Sequence, residues 1–78
     1  MRTETVDTMA STLIALIAKR LTHAASLAKA AEVCAASGNT SAALQIAQDI
    51  DQPLFEAQNL LNVASLIDRL GSELTPSD

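Results

Sequence analysis

Apolar residues recur along the first half of the chain at alternating spacings of four and three: Ala10, Ile14, Ile17, Leu21, Ala24, Ala28, Ala31 and Ala35. Eight such positions in a row predict one long amphipathic helix, with large side chains first on its apolar face and alanine afterwards. Alanine leaves little volume between backbones, so Ala24, Ala28, Ala31 and Ala35 are expected to form a close helix crossing, within one chain or between two. A second apolar edge, Val6, Met9, Leu13 and Leu16, widens the arc near the N-terminus. A three-helix monomer could hardly cover that arc together with Leu54, Phe55, Leu61 and Leu66, and exposed patches of this size mark interfaces. Val6, Met9, Leu13, Leu16, Ile17 and Phe55 are therefore the expected contacts with a partner or a second copy; the plainer alternative is that they line one compact core.

The first helix can start near Thr3 or Thr5, where Glu4 and Asp7 suit the positive end of the helix dipole. No proline or glycine follows until Gly38, which allows one helix of roughly 30 residues, ~45 Å long. A break around Arg20–His23 is the alternative. Thr12, Lys19, Thr22, Ser26 and Lys29 make its solvated face. Ser37-Gly38-Asn39-Thr40-Ser41 is the clearest turn: Gly38 can take the left-handed conformation that ends a helix, and Thr40 or Ser41 can cap the next. So short a connection makes the flanking helices antiparallel neighbours.

A second helix from Ser41 to Ile50 turns Ala43, Ile46, Ala47 and Ile50 inward. Pro53 either stops it and starts a third, or kinks one long helix, since apolar spacing continues through Ala43, Ala47, Ile50, Leu54, Ala57, Leu61 and Ala64. The last segment, Pro53 to Leu70, is expected to bury Ala57, Leu60, Ala64 and Ile67. Its outer stripe is Gln58, Asn62, Ser65 and Arg69. Gly71 ends it, leaving residues 1–71 as one all-helical domain and 72–78 as a mobile polar tail.

Composition reinforces the helical reading and limits the core. The chain has 78 residues, 49% of them hydrophobic, with 15 alanines, one phenylalanine, and no tryptophan or tyrosine. A domain this small buries only about 60–65% of its unfolded surface, and without large aromatics its core is thin. Self-association is the usual remedy, so the expected fold class is an all-α helical hairpin or three-helix unit that assembles into a dimeric bundle.

Net charge is −4, split as +1 over residues 1–38 and −5 over residues 39–78. That asymmetry favours packing of the first half on the second, within a chain or across an antiparallel pair. It argues against nucleic acid, since Arg2, Lys19, Arg20 and Lys29 are too few and too spread to cover one face. One cysteine, Cys34, excludes an internal disulfide and fits a reducing cytoplasm. The longest apolar run, Leu13 to Ala18, is far short of the ~20 residues a bilayer span needs, and the acidic N-terminus does not suit a secretory signal. A cytoplasmic location with no membrane partner is the expectation.

Candidate chemistry is sparse. His23 and Cys34 lie eleven residues apart near one helix face, but zinc wants about four ligands, so a site would need two copies of the chain. As a phosphoacceptor, His23 is followed by Ala24-Ala25-Ser26-Leu27, which lacks the lysine and glycine that histidine phosphotransfer domains place there. Asp49, Asp51 and Glu56 around Pro53 match no calcium loop and are more simply explained by helix capping. There is no glycine-rich phosphate loop, catalytic carboxylate pair or Cys-x-x-Cys. No enzyme activity and no cofactor are expected.

Ala30-Ala31-Glu32-Val33-Cys34-Ala35-Ala36-Ser37-Gly38, followed by Ala42-Ala43-Leu44-Gln45-Ile46-Ala47, resembles a tetratricopeptide-type hairpin. In that family a helix ends before a Gly-polar turn and the next opens with an alanine-leucine pair; Pro53-Leu54-Phe55-Glu56-Ala57 is similar to its closing proline. The likeness spans Ala24 to Phe55. It departs at Leu27, Ala31 and Ala47, where the repeat prefers an aromatic, a glycine and a bulky residue, and no second repeat follows. The resemblance implies a protein-binding surface without catalysis. The expected function is a small acidic protein–protein interaction module: an adaptor, chaperone or regulator. Alternatives are a secretion chaperone, similar in size, charge and helicity to those of bacterial type III secretion, and a nucleic-acid regulator of the helical-hairpin dimer type, like small plasmid copy-number proteins.

Overall fold

The computed structural model describes residues 3–74, which form three helices: α1 (Thr3–Ala36), α2 (Thr40–Asp49) and α3 (Asp51–Leu74). α1 is unbroken over 34 residues, so no interruption falls at Arg20–His23. It ends at a turn built around Gly38, whose φ of 89° lies in the left-handed region that a Cβ disfavours. The Asn39 amide donates to the Cys34 carbonyl (2.9 Å) and the Gly38 amide to that of Ala35 (3.1 Å). This paired pattern satisfies carbonyls that the last helical turn leaves open. The Ser37 hydroxyl adds a third bond, to the Cys34 carbonyl. Asn39, rather than Thr40 or Ser41, caps α2: its Oδ1 accepts the Ala42 amide at 3.2 Å. The helix starts one residue earlier than Ser41, which puts the Asn39 side chain at the capping position.

Only Ile50 separates α2 from α3, and its backbone stays helical (φ −66°, ψ −28°). The Leu54 amide donates to the Ile50 carbonyl at 3.2 Å, as it would in an uninterrupted helix. Pro53 falls in the first turn of α3, where its missing N–H is tolerated. α2 and α3 therefore form one kinked arm, and the molecule is a two-helix hairpin. α3 runs through Gly71 to Leu74. Residues 75–78 of the expected tail lie outside the described residues.

The radius of gyration is 17.9 Å and the principal extents are 62 × 16 × 16 Å. A globule of this length would have a radius of gyration of about 11–12 Å, and a width of 16 Å accommodates just two helices side by side. No described residue pair makes a disulfide; Cys34 is a half-buried free thiol.

The seam between the arms keeps the three-four spacing but in a different phase from the run that begins Ala10-Ile14-Ile17. On α1 the inward positions are Val6, Ala10, Leu13, Ile17, Arg20, Ala24, Leu27, Ala31 and Cys34. On the second arm they are Ala43, Ile46, Ile50, Pro53, Ala57, Leu60, Ala64, Ile67 and Gly71. The heptad spacing crosses the kink without a slip, which is why Pro53 does not end the arm. Among the described residues the buried ones are Ala24, Ala43, Ala57 and Pro53, and no large side chain is fully enclosed.

Candidate interaction surface

Two helices can cover only one stripe of each other, and the rest of each apolar arc faces outward. Met9, Ile14, Leu21, Val33, Leu44, Leu54, Phe55, Leu61, Val63, Leu66 and Leu70 are all exposed. The accessible surface is 5782 Å², against about 4,500 Å² for a globular protein of 8.1 kDa.

The residues singled out for contacts divide between seam and surface. Val6, Leu13 and Ile17 are half-buried seam residues, Leu16 is half-buried beside them, Met9 is exposed, and Phe55 is 61% exposed. Of the alanines, Ala24 is buried and Ala31 half-buried in the seam, while Ala28 and Ala35 are exposed. The structure thus brings Val6, Leu13 and Ile17 together between the arms and leaves Phe55 apart from them.

Ile14 and Leu21, which spacing alone counts with the seam, make a second set with Leu54 and Leu61. Ile14 and Ile17 of α1 line a groove of about 770 Å³ with Leu61, Ala64, Ser65 and Asp68 of α3. Ile14 and Leu61 are therefore on the same face of the hairpin. Because the arms are antiparallel, one heptad forward on α1 and one back on α3 brings Leu21 beside Leu54. These four large side chains, 46–61% exposed, form an apolar band on one face.

One ion pair links the arms at mid-length. Arg20 Nε lies 3.0 Å from Glu56 Oε1, and Gln52 Nε2 donates to Glu56 Oε2 at 3.2 Å. The Arg20 Nε–H is enclosed but not aimed along that line, so the contact is ionic rather than a directed hydrogen bond. Arg20 follows Leu16 by four residues and Glu56 precedes Val63 by seven, which places the pair toward the face opposite the Ile14–Leu61 groove. It joins the basic half of the chain to the acidic half within one molecule.

The pair also removes a cation from any basic patch. Arg20 is turned to Glu56, and Lys29 Nζ sits 2.9 Å from Glu32 Oε1 on α1. Arg2 lies outside the described residues. Among the described residues no group of His, Cys, Asp and Glu is placed to hold a metal ion, and His23 is exposed while Cys34 occupies the seam. Asp49 and Asp51 are exposed, and Glu56 is engaged with Arg20 and Gln52. No helix among them is long and apolar enough to cross a membrane. Set beside known protein families, curated proteins and solved structures, the chain gives no significant match.

Proposed function

We propose that this chain is a small acidic protein-interaction module, an adaptor, chaperone or regulator that works through the apolar faces of its hairpin and performs no chemistry of its own. The observation that carries this reading is the mismatch between core and surface. The buried core is alanine and one proline, while large hydrophobic side chains stand on both sides of the seam. Apolar area of that extent, ordered in stripes on a helical scaffold, suits an amphipathic helix laid into a groove. A nucleic-acid role has less support, since Arg20 and Lys29 are each beside a carboxylate.

Titration of a fluorescently labelled amphipathic helical peptide, followed by anisotropy, tests the reading. Saturable binding at dilutions where the chain is monomeric, lost in Leu54→Asp/Leu61→Asp, is the expected result. Absence of binding by a chain that is also monomeric would overturn it.

A further inference from the structure

We infer that the occupant of the Ile14–Leu21–Leu54–Leu61 face is a second copy of this chain, stacked face to face with its helices antiparallel to form a four-helix bundle. The inference rests on the interaction reading above and names its partner.

Three observations carry it. First, the area fits. The hairpin is 62 Å long and 16 Å wide, so two copies stacked along one such face would remove on the order of 2,000 Å² in total, within the range of stable homodimer interfaces. Second, the face is self-complementary. Along α1 the stripe reads Ser11, Ile14, Ala18, Leu21, and along α3 it reads Leu54, Gln58, Leu61, Ser65. Laid antiparallel on itself, Ile14 meets Ala18 of the second copy and Leu21 meets its Ser11. On the other arm Leu54 meets Ser65 and Leu61 meets Gln58. The Arg20–Glu56 pair sets the level of one arm against the other, and at that level a single two-fold axis serves both sets. At these central positions large side chains fall against smaller or more slender ones, as packing between close helices requires. One step outward on α3, Asp68 faces Asp51 of the second copy, a like-charge contact that added salt should relieve.

Third, no other staple stands among the described residues. They hold neither a disulfide nor a group placed to bind a metal, and their buried side chains are small. Below about 70–80 residues such a core is usually completed by association. The opposite face, which carries Met9, Val63 and Leu70, has the Arg20–Glu56 ions beside it at mid-length and is the poorer candidate.

Light scattering with refractive-index detection, with helicity by circular dichroism, gives the first test. The wild type is expected at twice 8.1 kDa. Leu21→Asp/Leu54→Asp should halve the mass, whereas Met9→Asp/Leu70→Asp should leave it unchanged. A wild-type monomer, or dissociation by the second pair and not the first, overturns the assignment. A wild-type monomer that still binds the labelled peptide defeats only the second copy; one that binds nothing defeats the interaction reading too.

Because the aspartate variants could lose their fold with their partner, cross-linking supplies a second test. In a Cys34→Ala background, Ala18→Cys near the axis should join two chains through a short bismaleimide. Thr12→Cys, away from the face, should not. Equal yields at both positions would overturn the proposed stacking.

Discussion

The half of the hairpin nearest the turn and the half nearest Thr3 and Leu74 share one seam but bury it to different depths. Toward the turn, Ala24, Ala43 and Pro53 are buried; at the other end Val6, Leu13, Ile17, Leu60 and Ile67 occupy equivalent positions and are half-covered. Small residues let two helices approach until water is excluded from the line between them. Large ones hold the axes apart, and a pair of helices has nothing to lay over their flanks. Among the described residues Ala24, Ala43 and Ala57 are buried, other seam alanines such as Ala10 and Ala64 are half-covered, and no large side chain is buried at all, so the apolar surplus collects on the large residues.

Enlarging a buried alanine should break that contrast most severely. Ala57→Leu is expected to cost about 2–3 kcal/mol, because the helices must separate or force the new side chain off its rotamer. Chemical denaturation followed by circular dichroism measures it. Shrinking a large seam residue should do less than in a closed core. Ile17→Ala is expected to cost about 1–2 kcal/mol in the monomeric Leu21→Asp/Leu54→Asp background, since a half-covered isoleucine forfeits less than the ~2–5 kcal/mol of a buried one. A larger loss would mean that Ile17 is better enclosed than two helices allow.

The smallest effect belongs to the ion pair at the boundary between the halves. Both side chains are more than a third exposed, so Glu56→Gln should cost about 0.2–1 kcal/mol. The loss should shrink as salt is added, because mobile ions screen exposed charges. A salt-independent loss would point instead to the Gln52 hydrogen bond.

The helices, the turn at Gly38 and the antiparallel pairing were legible in the chain, because proline and glycine are rare and the apolar spacing is long. The phase of the seam on α1 was not. Leu13-Ile14, Leu27-Ala28 and Cys34-Ala35 are adjacent apolar pairs, so two stripes one residue apart fit nearly equally well. At the remaining position the choice lay between Arg20 and Leu21, and hydropathy favours leucine. In the fold Arg20 points across the seam because Glu56 stands opposite, and that partner is thirty-six residues away in sequence. On α3, by contrast, the expected inward set of Ala57, Leu60, Ala64 and Ile67 is the one the fold shows. The candidate surface is what remains once the phase is known. Ile14 and Leu21 could not be told from core residues by spacing alone, whereas Leu54 and Leu61 already stood among the side chains a monomer could hardly cover. Gly71 looked like a helix end, but a helix can run through a glycine at a cost of about 1 kcal/mol relative to alanine.

The position of the turn also sets an order of assembly. Contacts beside Gly38 close loops of fewer than ten residues, whereas pairing Ala10 with Ile67 closes one of more than fifty. Beginning at that far end costs about 1.5–2 kcal/mol more in chain entropy than beginning at the turn. Chain entropy therefore favours closing the hairpin from the turn outward, with Val6, Leu13 and Ile67 reached last. The side chains with most to gain from a covering neighbour are still uncovered when the rest of the chain has already closed.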